Sequence, residues 1–254
     1  MTAIEPVPGS VRRLEWRRAK VRQVIVETSR VKSLLLEVAR WQGHQAGQHV
    51  DIRLTGEAGY QAQRSYSIAS PPEDGLIALT VERVENGEVS PYLVDELREA
   101  DQFELRGPIG GYFVWSVAMG GPLCLIAAGS GIAPLMAMLR HRDRQNSRVP
   151  AVLLHSSRNL EDVIYRSELD AMARRDPDLR VVTTLTRKQP EGWTGYRRRI
   201  DKSMLADACF PPERNPMTYV CGPTPFVEDV SMFLVELGHD ALTIKTERFG
   251  PTGG

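Results

Sequence analysis

Leu123-Cys124-Leu125-Ile126-Ala127-Ala128-Gly129-Ser130-Gly131-Ile132-Ala133-Pro134 is the stretch that decides the fold of this chain. Its first six residues are all apolar, which fits a strand buried on both faces, since a strand with one wet face would alternate. A glycine turn follows, and then a helical run over 134–142. Gly129 and Gly131 let the backbone turn and approach a ligand closely, and the helix start offers free N–H groups to an anion such as a pyrophosphate. Pro134 stands where the usual fingerprint has a third glycine and suits a first helical turn, where its missing N–H costs nothing. Any strand-to-helix turn favours glycine, so the string alone separates a nucleotide site from a plain turn only weakly.

Downstream, apolar runs at 149–154, 179–185 and 218–220 alternate with helical stretches at 162–174, 202–208 and 225–237. Strand and helix alternating in this way predict a parallel sheet in a doubly wound α/β domain. A second strand-to-helix turn, Tyr219-Val220-Cys221-Gly222-Pro223-Thr224-Pro225, would form a crevice with the first if both lie at one sheet edge. Cys221 ends its strand beside a helix start, a setting that biases a thiol toward reactivity, with inert packing as the equal alternative. Arg187, Lys188, Arg197, Arg198 and Arg199 gather around the strand at 181–185, and Arg158 follows the strand before it. An adenosine 2′-phosphate would need such guanidinium groups, although exposed arginines are common.

Upstream the pattern is one of short strands, at 21–28, 31–38, 48–54, 64–69, 76–84 and 103–106. Gly43, Gly47, Gly56, Gly59, Pro71, Pro72 and Gly75 punctuate them, as in an antiparallel barrel. One helix interrupts, from Ser90 with Pro91 at its first position to about Arg98. The grammar changes at Gly120-Gly121-Pro122, so two domains are expected, a β-barrel over 17–116 and an α/β domain over 121–250, joined near 116–121. A chain of 254 residues suits that count. On the strand Arg64-Ser65-Tyr66-Ser67, Arg64 and Tyr66 share one face, a cation beside an aromatic plane, although a plain half-buried strand looks the same. Gly87-Glu88-Val89-Ser90 leads into the Pro91 helix, either as a second anion-binding start or as an ordinary serine N-cap.

Composition excludes several classes. Apolar residues make up 42% and charged residues 25%, the balance of a chain with a buried core. Thirty-two basic residues cancel 32 acidic ones, leaving no net field to gather nucleic acid. Cys124, Cys209 and Cys221 lack the close spacings of zinc sites, three thiols cannot hold a plant-type iron–sulfur cluster, and the five histidines form no i, i+4 pair, so no metal site is expected. The longest apolar run falls far below a membrane span of about 20 residues and the N-terminus has no apolar leader core, so a cytoplasmic location is expected. Residues 1–11 read as a loose arm. Arg12, Arg13, Arg17, Arg18, Lys20 and Arg22, opposed only by Glu15, could form a docking patch for an acidic partner, but more often such a run is a solvated face.

Taken in order, these strings resemble the ferredoxin–NADP reductase family of flavoproteins, and the likeness runs through nearly the whole chain after about residue 17. Separated motifs in the right order are far more specific than any one of them. The resemblance implies an FAD-binding barrel followed by an NAD(P)-binding α/β domain. It gives Arg64 the flavin phosphates, Tyr66 the isoalloxazine face and Ser67 the flavin N5, with Gly87, Val89 and Ser90 at the FAD pyrophosphate. Gly107-Pro108-Ile109-Gly110 and Phe113 look like the barrel-closing segment. Gly129, Gly131, Ile132 and Pro134 would hold the nicotinamide nucleotide, and Cys221, with Gly222 and Pro223, would lie beside the nicotinamide. Thr186-Arg187 looks like the serine–arginine pair used for the 2′-phosphate, joined by Arg158 and Arg197; threonine keeps the hydroxyl and leaves NADPH against NADH open. Glu247-Arg248-Phe249 is similar to the family's acidic and aromatic ending, Glu247 as a proton relay and Phe249 over the flavin, although five further residues follow. Ser67, Cys221 and Glu247 are thus the expected catalytic residues. The implied activity is hydride transfer from NADPH or NADH to FAD, expected in preference to FMN, then single electrons to a separate protein such as a ferredoxin or an oxygenase component. A direct flavin or small-molecule reductase, or a non-catalytic redox sensor, would share every motif.

Overall fold

The computed structural model describes residues 14–56 and 59–250. The arm expected at 1–11, Arg12 and Arg13 of the basic run, and residues 251–254 of the tail lie outside the described residues.

Six antiparallel strands build the first half: β1 (Arg17–Val26), β2 (Val31–Val38), β3 (His49–Thr55), β4 (Gln61–Ser67), β5 (Ile77–Glu82) and β6 (Gln102–Ile109). They lie in the order β4-β3-β6-β1-β2-β5, and a bridge between Ile68 and Leu79 joins the two edges into a barrel. Alternation sets the inside. Phe103 and Leu105 of β6 turn inward while Glu104 and Arg106 line the outer face, and Leu34, Leu36, Val50, Ile52 and Val81 complete the apolar core. β1 begins four residues before the expected strand, because Arg17 through Lys20 pair with β6. The described basic residues therefore lie along a barrel strand, where Ala19 and Val21 face the core, Arg22 pairs with Glu37 and Arg17 donates to the Arg40 carbonyl. The helix expected at 90–98 starts at Ser90 and ends at Glu96, and it widens over Tyr92–Glu96, where the Leu97 N–H returns to the Tyr92 carbonyl. That widening lets Val89, Leu93, Val94 and Leu97 all reach the barrel core.

The second half alternates β7 (Leu123–Ala128), α1 (Ile132–Arg144), β8 (Ala151–Ser157), α2 (Arg166–Arg175), β9 (Leu179–Leu185), α3 (Lys202–Ala208), β10 (Met217–Pro223), α4 (Thr224–Glu236) and β11 (Ile244–Phe249). All five strands are parallel, in the order β11-β10-β7-β8-β9. The chain builds outward from β7 on one side and then returns to its other side with β10. A crevice therefore opens between the carboxyl ends of β7 and β10, where the strand order reverses.

A shared apolar layer joins the halves. Val31, Ala69, Ala78, Phe113 and Trp115 pack in one cluster with Ile132, Leu135, Met136 and Leu139 of α1. Polar contacts fix the arrangement around it. Arg140 donates to the Ala69 carbonyl at 2.8 Å and grips Glu168 with two nitrogens, and the Tyr165 hydroxyl meets Thr80, which in turn meets Ser33. His141 accepts from the Val117 amide at 3.3 Å through Nε2, which leaves Nδ1 to donate to Glu73 at 2.7 Å. Among the described residues no helix is long and apolar enough to cross a membrane.

Candidate active site

At the switch point, parallel register sets Ala127, Cys221 and Glu247 side by side on β7, β10 and β11. The two strand-to-helix turns are therefore neighbours. Gly129 adopts φ +53°, a left-handed conformation that favours glycine, and the turn runs through Gly131 into Ile132, the first residue of α1. Gly131 is needed for a different reason: a Cβ there would lie 2.3 Å from the Cys221 carbonyl oxygen. Pro134 sits in the first turn of α1, where a backbone N–H has no helical partner. Gly222 and Pro223 end β10, and a Cβ on Gly222 would lie 2.6 Å from the Phe226 ring. Behind the turn, His155 is fully buried and lies 3.3 Å from the Gly129 carbonyl through Nε2. Burial pushes its pKa down to about 4, so it is neutral and donates that bond. In front, Ser130 Oγ donates to Glu82 of the barrel at 2.8 Å.

Glu247 is the most perturbed acid of the crevice. Its Oε1 accepts a long hydrogen bond, 3.4 Å, from Ser67 Oγ at the end of β4, while its Oε2 is sealed from solvent without a partner. Burial pushes its pKa up to about 7, and the Ser67 bond only partly opposes that. Cys221 is sealed, and burial, reinforced by the Glu247 carboxylate, pushes its thiol well above the ordinary range. The reactive-thiolate alternative fails on those grounds. Phe249 pairs with Pro223 in the last step of the β10–β11 ladder and is 38% exposed, so its ring is available at the crevice edge.

On the barrel side, Arg64 is exposed and pairs with Glu88 at 3.2 Å, and Tyr60 donates to the same carboxylate at 2.6 Å. Tyr66 is half-buried, and burial raises its phenol. Ser90 does not cap the turn that follows. Its Oγ accepts from the Val84 amide at 3.0 Å, and the Gly87 amide donates to the Val84 carbonyl, so the 87–90 segment closes on itself while Val89 anchors it in the barrel core. A cavity of 550 Å³ lies beside it, lined by Arg53, Tyr60, Ala62, Glu88 and Tyr92 among others. At the far side of the parallel sheet, Arg187 and Arg158 are both exposed and are tied together by the Arg187 amide donating to the Arg158 carbonyl at 2.9 Å. The Thr186 hydroxyl donates to the Ser157 carbonyl, and Arg197 follows Tyr196, whose carbonyl accepts from Leu185 at the end of β9. Arg158, Thr186, Arg187 and Arg197 thus gather at the carboxyl ends of β8 and β9.

Three neighbours of these residues went unassigned in the sequence reading: Glu82, Glu88 and His155. Glu88 lay within the quoted turn, and its charge beside Arg64 was legible had the strand pair been in view. His155 follows the apolar run at 149–154 and lies within β8, fully buried, with nothing local to mark it. Glu82 carried no local signal, because its partner lies 48 positions away in the other half.

The chain matches the family model for an oxidoreductase FAD-binding domain over residues 19–114 and that for an oxidoreductase NAD-binding domain over residues 125–232. It is 34% identical over 208 residues to the glycine betaine monooxygenase reductase subunit of Pseudomonas aeruginosa, an alignment covering 81% of this chain and 56% of the relative. The chain thus spans little more than half the length of that relative. With NADH-cytochrome b5 reductase 1 of Aspergillus oryzae it shares 30% identity over 201 residues, covering 76% of this chain and 68% of the relative. Among solved structures, a cytochrome P450 reductase from Amycolatopsis superposes with a TM-score of 0.81 at 28% identity, covering 94% of this chain and 71% of the other. Matched barrel and nucleotide domains in the same order, together with these relatives, place the chain in the ferredoxin–NADP reductase family.

Proposed function

We propose that this protein oxidises NADH or NADPH and passes the electrons, through a bound FAD, to a separate redox protein. The observation that carries this reading is the meeting of Ser67 from the barrel with Glu247, next to Cys221 and the 129–131 turn, where the two halves meet. The site fits both groups: a partnerless, sealed carboxylate oxygen faces it, and a side chain at Gly131 would close the turn. Flavin bound there accepts a hydride and releases electrons singly. Arg64 would hold its phosphates once freed from Glu88, Tyr66 would pack on its ring, and the Gly87, Val89 and Ser90 segment would carry its pyrophosphate. Gly129, Gly131, Ile132 and Pro134 would hold the dinucleotide, and Cys221, Gly222 and Pro223 would set its nicotinamide against the flavin. Cys221 acts by shape, since its thiol stays protonated. Glu247, poised near neutrality, can hold or give up a proton toward Ser67 Oγ. Thr186 and Arg187, with Arg158 and Arg197, supply the donors a 2′-phosphate would need, which favours NADPH.

The acceptor is inferred from relatives named as reductases of a monooxygenase and of cytochrome b5. A ferredoxin or an oxygenase component fits best, and the cytoplasmic location expected from the sequence goes with this reading. The test begins with the absorption spectrum and chromatography of the released flavin. Anaerobic addition of NADH and NADPH, and then of a ferredoxin or free FMN, completes it. A yellow protein that releases FAD, is bleached by a coenzyme and is reoxidised by the protein acceptor meets the proposal. Efficient turnover with free FMN alone makes it a flavin reductase. Bound flavin that neither coenzyme reduces makes it a sensor, and a protein that takes up no flavin overturns the reading.

A further inference from the structure

We propose that Glu82 sets the affinity of this protein for its coenzyme, its carboxylate standing at the mouth of the dinucleotide turn and opposing the pyrophosphate that must enter there. This rests on the function proposed above. Glu82 is the last residue of β5, so the barrel wall itself carries it to the other half. Its Oε2 accepts from Ser130 Oγ at 2.8 Å, and a Cβ built on Gly129 would lie 3.7 Å from the same oxygen. The carboxylate therefore rests against the turn, not merely near it. No lysine or arginine among the described residues pairs with it. What favours an anion at this place is the start of the 13-residue α1, whose first amides carry the partial positive charge of the helix.

A pyrophosphate drawn to the same turn meets both effects at once. It competes with Glu82 for the Ser130 hydroxyl and for the field of α1, and it brings negative charge to within a few ångström of a carboxylate that forms no ion pair among the described residues. Coenzyme binds by displacing Glu82 from Ser130, so affinity is held down and the oxidised coenzyme leaves readily. The effect follows the phosphates shared by both coenzymes and not the 2′-phosphate, which separates it from the role given to Arg187.

Glu82→Gln tests this cleanly, because the amide oxygen can still accept from Ser130 and only the charge is lost. On the flavin-loaded protein, calorimetric titration should show NAD+ and NADP+ both binding about fivefold more tightly, the scale of one partly exposed charge interaction. The KM for the reduced coenzyme should fall with it while kcat stays level or drops as release slows. Nicotinamide mononucleotide, which lacks the pyrophosphate, should gain less, and the difference should fade in about 0.5 M salt, where the screening length is only a few ångström. Glu82→Lys should tighten NAD+ further. An unchanged or weaker affinity in Glu82→Gln, with flavin content and melting temperature as in the parent, overturns the proposal. A parent protein that binds flavin but neither NAD+ nor NADP+ overturns the proposed function itself.

Discussion

Replacing Glu247 by glutamine should remove one source of pH dependence from the stability of this protein. The carboxyl lies at the crevice with its Oε2 sealed and unpartnered, its one hydrogen bond is a 3.4 Å contact from Ser67, and its pKa is pushed from the ordinary 4.5 to about 7. Below pH 4.5 folded and unfolded chains both hold this proton. Between 4.5 and 7 only the folded chain keeps it, and above 7 the fold must ionise a buried group. The stabilisation is thus complete in acid and is lost as pH rises through 7. At about 1.4 kcal/mol per pH unit, the gap makes the ionised form some 3 kcal/mol unfavourable, and the partial exposure of the side chain lowers that to roughly 2 kcal/mol. Glutamine carries no proton to lose. In a protein of this size 1 kcal/mol moves the melting midpoint by about 2–4 °C, so the variant should gain about 4–8 °C over the parent on going from pH 5 to pH 8. Thermal unfolding followed by circular dichroism at both pH values measures it. The same titration should appear as an inflection near pH 7 in the rate of flavin reduction, absent from the variant. Melting curves that run parallel across that range would refute the burial argument.

Gly131→Ala sets a methyl 2.3 Å from the Cys221 carbonyl, so it should weaken NAD+ binding at least tenfold and destabilise the protein by about 1–3 kcal/mol, read by calorimetric titration and chemical denaturation. Arg187→Ala should raise the KM for NADPH by roughly ten- to a hundredfold and leave that for NADH within twofold, since a charge-assisted contact is worth about 1.5–3 kcal/mol; equal effects on both coenzymes would show that Arg187 reads another group. Ending the chain after Gly250 should be nearly silent, whereas ending it after Thr246 removes the β11 partners of Cys221, Gly222 and Pro223 and should impair reduction by the coenzyme while FAD stays bound. If both shortened chains turn over a protein acceptor at the parent rate, the tail takes no part in the reaction.

Burial was legible in the sequence wherever a run of side chains announced it. Val31–Val38, Leu123–Ala128 and Leu179–Leu185 form strands at the expected residues: Leu123–Ala128 is apolar throughout and nearly buried along its length, while the other two are rich in apolar and β-branched residues and keep polar side chains such as Glu37 and Arg180 on an exposed side. The alternation of strand and helix after residue 122 determined a parallel sheet, and the glycine turns marked the crevice, since both depend on neighbours within a few positions. Tertiary structure decided what local pattern cannot carry. Lys20 and its neighbours are strand residues because β6 pairs with them, and the turn after Pro91 widens because four apolar side chains must reach one core. Ser90 serves the Val84 amide and not a helix. The pairs that make the site chemically specific, Ser67 with Glu247 across 180 positions and Glu82 with Ser130 across 48, join residues from separate halves of the chain. Their distances follow from how the barrel seats on α1 and how β11 registers against β10, and from that packing alone come the sealed oxygen of Glu247 and the raised pKa that goes with it.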